Sequence, residues 1–335
     1  MQFKYPTERY PRITVIMPVL NSAATVEKSL LSLAEQNYPN LEFIVLDGGS
    51  GDGTLDVIGK YKSMISYMRS HKDKGNAAAI NEGIEKSTGV IINQLNADDF
   101  YEAGTLIQVG EAFIDNPALE IVSVLGRMVS LDASGELITG HITTPEMMGV
   151  IKGNLRALHP NCRFFRKDLF DRYGKIIETI DGKPTLASDY EYLTRFSLYE
   201  PQFKTLNFIG YNYLAHEKSL TYNTNKYTKL INYDQKIYYI EQLLQHHQHV
   251  MTPEIIANLK RQYEIAFPRR VVKNLLDGES KKFMINFKIG ISKFGPVFPL
   301  KVLRYWFSYT LRLNKRVRAF QKKYLKAVFK KQESY

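Results

Sequence analysis

Four consecutive residues, Asn96-Ala97-Asp98-Asp99, follow directly on the strand pattern Val90–Leu95. Two adjacent acids at the end of a buried strand repel each other, and a cation relieves that repulsion. Mg2+ and Mn2+ take few carboxylates and fill the remaining positions with phosphate oxygens and water, which suits the bridge of a nucleotide diphosphate. The alternative is structural: Asp98 or Asp99 caps a helix that starts near Glu102. Asp47 ends another strand, beside Gly48-Gly49-Ser50-Gly51-Asp52-Gly53. Glycines there let a ligand come close, and a carboxylate can hydrogen-bond a uracil or a ribose. The run fits neither G-x-G-x-x-G nor the phosphate loop, because Thr54 follows Gly53 where the latter needs Lys. A tight turn in which Asp52 or Thr54 caps the next helix is the other reading.

Such residues work together only on a scaffold that gathers strand ends. Ile13–Met17 is a β-branched run stopped by Pro18, and Asn21 and Ser22 can cap a helix with Val26, Leu30, Leu33 and Ala34 on its apolar face. The pattern then predicts strand Glu42–Leu46, helix Thr54–Tyr61, strand Met64–Met68, helix Asn76–Lys86 and strand Val90–Leu95. A helix over Glu102–Ile114 and a strand over Glu120–Leu125 follow. This alternation predicts an α/β fold with a mostly parallel central sheet flanked by helices. Ligands of such sheets bind at the carboxyl edge. After about residue 126 the alternation weakens, and helical patterns return at Leu186–Leu198 and Pro253–Phe267.

Of 335 residues, 45 are Lys or Arg and 34 Asp or Glu, for a net charge of +11. The charge is segregated: residues 281–335 hold fifteen bases and one acid, and residues 1–280 carry −3. A near-neutral body with a basic end argues against a general nucleic-acid binder. The single cysteine, Cys162, excludes an intramolecular disulfide and a Cys-rich zinc site. The N-terminal residues lack an apolar signal core, and no run of eighteen apolar residues occurs, so a cytoplasmic location is expected. Beyond Gly295-Pro296, residues from Leu303 and Trp306 to Tyr324 and Val328 recur at helical spacing, with basic residues between them. A basic amphipathic helix over 297–332 suits an anionic membrane surface. Packing on its own domain or on a second copy of the chain is the alternative.

Four motifs in order resemble the family 2 glycosyltransferases, inverting enzymes with the GT-A fold. They are Ile13–Asn21, Leu46–Thr54, Asp73-Lys74-Gly75 with Ala79–Ile84, and Leu95–Asp99. The resemblance implies a GT-A domain over residues 1–225, with a nucleotide-binding half (1–126), an acceptor half (127–225) and a helical region at 226–335. It implies a nucleotide-sugar site at Pro18, Val19, Asn21, Asp47, Gly49, Asp73, Lys74, Gly75, Asn81, Asn96, Ala97 and Asp98, with Asp47 and Asp73 at the base and ribose. Asn96 stands where the family's Asp-x-Asp motif has its first acid, which leaves Asp98 as the ligand for Mn2+ or Mg2+.

An inverting transfer needs a base on the acceptor hydroxyl. The resemblance assigns the segment Ala187–Arg195 to the acceptor side, with Asp189 as base and Glu191 second to it; a plain Glu191–Arg195 ion pair at i,i+4 is the structural reading. His159 and Arg163 are expected near the acceptor, and His216 near the metal or diphosphate. His246-His247-Gln248-His249 has only the composition of a metal tract and reads as a helix end. The implied partners are a nucleotide-sugar donor and a glycan or lipid-linked acceptor, as in assembly of a bacterial surface polysaccharide. A sugar nucleotidyltransferase, or a non-catalytic binding protein on the same fold, are the rival functions.

Overall fold

In the computed structural model, residues 9–132, 136–155, 159–216 and 226–313 are described. The order begins β1 (Ile13–Val19), α1 (Val26–Ala34), β2 (Leu41–Asp47), α2 (Thr54–Gly59), β3 (Tyr67–Ser70), α3 (Asn76–Lys86) and β4 (Ile91–Gln94). It continues with β5 (Phe100–Tyr101), α4 (Thr105–Asp115), β6 (Ile121–Leu131), β7 (Leu137–Ile142) and α5 (Pro145–Met148). A small hairpin, β8 (Val150–Ile151) and β9 (Asn154–Leu155), precedes β10 (Arg163–Arg166) and α6 (Asp168–Tyr173). A second hairpin, β11 (Thr179–Ile180) and β12 (Lys183–Pro184), leads into α7 (Ser188–Leu198) and the long β13 (Phe203–Ala215). Helices α8 (Lys226–His246), α9 (Pro253–Leu276), α10 (Ser280–Phe294) and α11 (Phe298–Leu313) complete the described chain.

The main sheet has the order β3-β2-β1-β4-β10-β6-β13-β5, with β7 on the outer half of β6. Strands β1 to β4 are parallel, and β10 lies antiparallel between β4 and β6. Two reversals restore the direction, so β6 and β13 run with β1 and their carboxyl ends meet at the same edge. The fold is therefore α/β with a mostly parallel sheet. Along β1, Val15 and Met17 enter one core with Leu30 and Leu33 of α1 and Leu106 and Phe113 of α4. Ile16 enters the other with Ile80 and Ile84 of α3, Phe170 of α6 and Leu193 and Phe196 of α7. Helices on both faces explain why β1 and β2 are largely apolar runs rather than alternating ones.

Several predicted boundaries move, each for a physical reason. β1 runs through Pro18 to Val19, because its ladder to β4 ends at Ile16 and only β2 pairs beyond that point. The N–H that Pro18 lacks is thus not needed there. α1 starts at Val26, not after Ser22, since residues 21–23 are held by side chains of the following loop. Met64 falls in a short 3-10 turn, and the strand predicted over Met64–Met68 lies at Tyr67–Ser70. α9 continues past Pro268 to Leu276, as Phe267, Val271 and Val272 stay buried at helical spacing. Their burial outweighs a penalty of about 3 kcal/mol for an internal proline.

Two compact units divide the chain: Met1–Asn223 with Gln242–Ile255, and Thr224–Glu241 with Ile256–Tyr335. Among the described residues, no helix is long and apolar enough to cross a membrane. Most of the predicted amphipathic segment, residues 314–332, lies outside the described residues. In the part that is described, Leu303 is exposed and Trp306, one turn on, half-buried.

Candidate active site

The turn after β2 is tied to the turn after β1 by the short polar side chains that the Gly-rich run supplies. Ser50 Oγ accepts from the Asn21 amide at 2.8 Å, and Asn21 Oδ1 accepts from the Gly51 amide at 3.0 Å. Thr54 Oγ1 accepts from the Ser22 amide, and Asp52 from the Ala23 amide. Asn21 itself adopts φ 48°, within reach of asparagine, and the Val19 carbonyl accepts from Gly48. Neither Asp52 nor Thr54 is the cap of α2: Gly53, at φ 90°, holds that position without a side-chain cap, while Asp52 accepts from the Thr54 amide at 3.1 Å and both side chains fasten the neighbouring loop.

Asp47 sits at the centre of this platform with no exposed surface. One carboxylate oxygen accepts from the amides of Gly49 and Ser50 at 3.0 Å and from Ser70 Oγ at 2.6 Å; the other accepts from the Ser50 hydroxyl. Burial works against its charge, yet the donors from Ser50, Ser70 and Gly49 outweigh burial and hold it below the ordinary carboxylate range. Gly49, at φ 91°, turns the loop in a region open to glycine. Asp47 therefore shapes the loop from beneath, and the loop forms the exposed surface.

Asp73 accepts from the Gly75 amide at 2.8 Å and from Arg69 Nη2 at 2.7 Å. Arg69 is a junction that the sequence reading passed over. It also donates to the Asp47 and His71 carbonyls and, through Nε, to Glu82 at 2.9 Å. Asp73 and the exposed Lys74 line an open cleft of about 520 Å³ with Arg69, Lys72 and Glu178. Gly75 has φ 102°, and a Cβ there would stand 3.0 Å from Pro184. That contact brings the approach to α7 against the edge of the nucleotide half. Asn81 clasps the same segment: its amide donates to the Ile176 carbonyl and Glu178, and its oxygen accepts from the Ile176 amide.

Within Asn96–Asp99 the four residues have different surroundings. Asp99 is buried, and accepts from Tyr211 Oη at 2.9 Å, Asn96 Nδ2 at 3.0 Å and the Leu214 amide at 3.0 Å. Burial, and then the charge on Asp98, push it above the ordinary carboxylate range, against these donors. Ala97 is buried, and Asn96 Oδ1 accepts from Gln94. Asp98 is the acid that faces the edge, with 30% of its side chain exposed, and His216 Nε2 lies 3.0 Å from its Oδ2. β13 delivers His216 because it runs parallel to β6, placing residue 216 at the carboxyl edge. Asp98 and His216, predicted from segments 118 residues apart, are thus brought together.

Among the described residues no cluster of three His, Cys, Asp or Glu forms a cation site. One carboxylate and one imidazole at an open edge nevertheless match what Mg2+ or Mn2+ takes from a protein when a diphosphate and water supply the rest. Behind them, Tyr211 and Asn161 form a rear support: Asn161 Nδ2 donates to Tyr211 Oη at 3.0 Å. Neither residue was singled out from the sequence. For Tyr211 the available signal was the alternation Tyr211-Asn212-Tyr213.

On the acceptor side, Asp189 lies in the first turn of α7, half-buried, and burial pushes its carboxyl up to about 6. Glu191 faces inward. Both of its oxygens meet Arg195, at 2.8 and 3.0 Å, in a buried i,i+4 pair, and Arg195 also donates to the Gly174 and Lys175 carbonyls. His159 packs on Tyr213 with ring centroids 5.2 Å apart, and burial, with the nearby Arg163 and His141, lowers it to about 4. Arg163 has no exposed surface; it donates to Ser123 and to the Met148 carbonyl, joining β10 to β6 and α5. His246 ends α8, as the helix-end reading expects.

Residues 14–174 match the family model described as Glycosyl transferase family 2. These residues form a family 2 glycosyltransferase domain. The chain is 36% identical over 149 residues to an uncharacterized glycosyltransferase of Haemophilus influenzae, covering 43% of this chain and 58% of that protein. It is 25% identical over 232 residues to a chondroitin synthase of Escherichia coli, covering 67% of this chain and 33% of the synthase. The chain thus spans less than two thirds of the length of either relative. In structure it is similar to residues 1–349 of S. aureus TarS in complex with UDP-GlcNAc, with a TM-score of 0.62 at 16% identity over 88% of this chain and 89% of the other. At that identity the likeness is one of fold, the GT-A arrangement.

Proposed function

We propose that this chain is a metal-dependent, inverting glycosyltransferase. It moves a hexosyl or N-acetylhexosaminyl group from a nucleotide-diphosphate sugar, with uridine as the nucleoside, to a hydroxyl of a glycan or lipid-linked oligosaccharide. The observation that carries the reading is the meeting of Asp98 and His216 at 3.0 Å on the carboxyl edge, next to loops already fastened together for a ligand. The family match, the chondroitin synthase relative and the UDP-GlcNAc complex of a fold neighbour support a sugar donor and a polysaccharide product.

In this mechanism the platform of Pro18–Asn21 and Gly48–Gly51 receives the nucleoside, positioned from beneath by Asp47, while Asp73 and Lys74 border its ribose side. Asp98 and His216 would hold Mg2+ or Mn2+, which neutralises charge on the departing diphosphate. Asp189 takes the proton of the acceptor hydroxyl as that oxygen bonds the anomeric carbon and the bond to the diphosphate oxygen breaks. A carboxyl raised to about 6 is ionised at neutral pH yet basic enough for the task. Glu191 fixes α7 through Arg195. His159, neutral at pH 7, borders the acceptor, whereas Arg163, with no exposed surface, braces β10 against β6 and α5 and is not an acceptor contact. A lipid-linked acceptor at the inner face of the cell membrane suits the basic C-terminal region. The test is Asp98→Asn: transfer from radiolabelled UDP-sugars should fall to background with the fold intact, whereas full transfer would overturn the metal assignment.

A further inference from the structure

Helix α10 is apolar on two sides. Its inner side is closed by aromatic packing: Phe283 stacks on Phe287 at 5.5 Å, and Phe287 and Phe294 both pack on Phe298, at 6.1 and 5.6 Å. Gly290 makes room for this, since a Cβ there would fall 2.1 Å from the Phe298 ring. The outer side of a surface helix is ordinarily polar. Here it exposes Met284 (50%), Ile285 (57%) and Ile289 (44%), and α11 likewise exposes Leu300 (65%) and Leu303 (48%). Between residues 280 and 313 there are seven Lys or Arg and no acid. Packing within the unit leaves these outward side chains unexplained.

Charge decides between the occupants such a surface could take. A second copy of the same face would oppose like charges and leave them without counter-ions. Nucleic acid would meet mainly aliphatic side chains; Phe307 on α11 is exposed (50%), but it does not make the row of stacked rings that bases need. An anionic bilayer answers both features, because acyl chains take the aliphatic residues and phosphate groups take the lysines.

We propose that the outward faces of α10 and α11 dock on an anionic lipid bilayer, with Ile285, Ile289, Leu300 and Leu303 entering the headgroup–acyl boundary and Lys281, Lys288 and Lys301 at the phosphate level. The proposal deepens the membrane part of the function above and moves it upstream, from the terminal tail to helices of the second unit. It is independent of the transfer chemistry.

The experiment is flotation of the full chain with phosphatidylcholine vesicles, with and without phosphatidylglycerol. Anionic vesicles should bind about tenfold more protein or better. Ile285→Asp with Ile289→Asp should lose about tenfold of that binding, as should Lys281→Glu with Lys288→Glu, a pair of exposed substitutions that spares the fold. Binding by both double variants equal to that of the parent would overturn the proposal. So would binding abolished only by removing residues after 313, or a parent dimer that both variants dissociate. Lost flotation with transfer to a soluble acceptor intact leaves the enzyme reading standing. Intact flotation without transfer leaves this one standing.

Discussion

Asp189→Asn should make the protein more stable and inactive at once. An aspartate free in water ionises near 3.8, and in the first turn of α7 burial raises this to about 6. The folded state therefore binds the proton more tightly than the unfolded chain. The favourable contribution is complete below about pH 4, declines as pH rises through about 6, and is gone above that. The difference corresponds to at most about 3 kcal/mol by the linkage relation. Asparagine has no charge to desolvate. At about pH 7.5 the variant should melt several degrees higher, at roughly 2–4 °C per kcal/mol for a domain of this size. Near pH 4, where Asp189 is already neutral, the two proteins should melt together. Turnover of the parent should fall about tenfold between pH 7 and pH 5 as the base is protonated, and any residual turnover of the variant should show no such limb. Differential scanning calorimetry at both pH values, with single-turnover transfer, reads all of this. Equal melting at pH 7.5, or a gain that persists at pH 4, would refute the reasoning.

Two further substitutions separate structural from catalytic acids. Tyr211→Phe removes a buried hydroxyl that supports Asp99 and Asn161; it should lower stability by about 2–3 kcal/mol in urea titrations and weaken donor binding by loosening the loop that carries Asp98. Glu191→Ala leaves Arg195 buried without its carboxylate partner and should cost about 3–5 kcal/mol. Its kcat well below the melting temperature should stay near that of the parent, whereas a catalytic Glu191 would lose turnover without losing stability.

What was legible in the sequence follows from locality. Asp98 stood out because acids directly after a buried strand are costly, and that cost is visible in a window of ten residues. The parallel half of the sheet was legible for a similar reason: β1 and β2 are short, largely apolar runs, each followed by a helix. The strands after residue 126 were harder to read. Arg163 was expected near the acceptor, yet it opens the antiparallel β10 and its guanidinium is buried by partners on β6 and α5. β13 mixes polar and aromatic residues because it pairs with both β6 and β5. Tyr211 lies 112 residues from the Asp99 it supports, so nothing nearby in the chain announced it. Arg69 was hidden in the same way, since its meaning depends on Asp47, Asp73 and Glu82 converging on it.

The central claim is that a nucleotide sugar binds at the carboxyl edge with a divalent ion held by Asp98. A thermal-shift screen of UDP- and GDP-sugars with and without Mn2+, on the parent and on Asp98→Asn, tests it most directly. A donor at about 100 times its Kd should stabilise the parent by about 2.7 kcal/mol, a rise of several degrees seen only with Mn2+ and lost in Asp98→Asn. No shift with any nucleotide sugar, or the same shift in both proteins, would contradict the account.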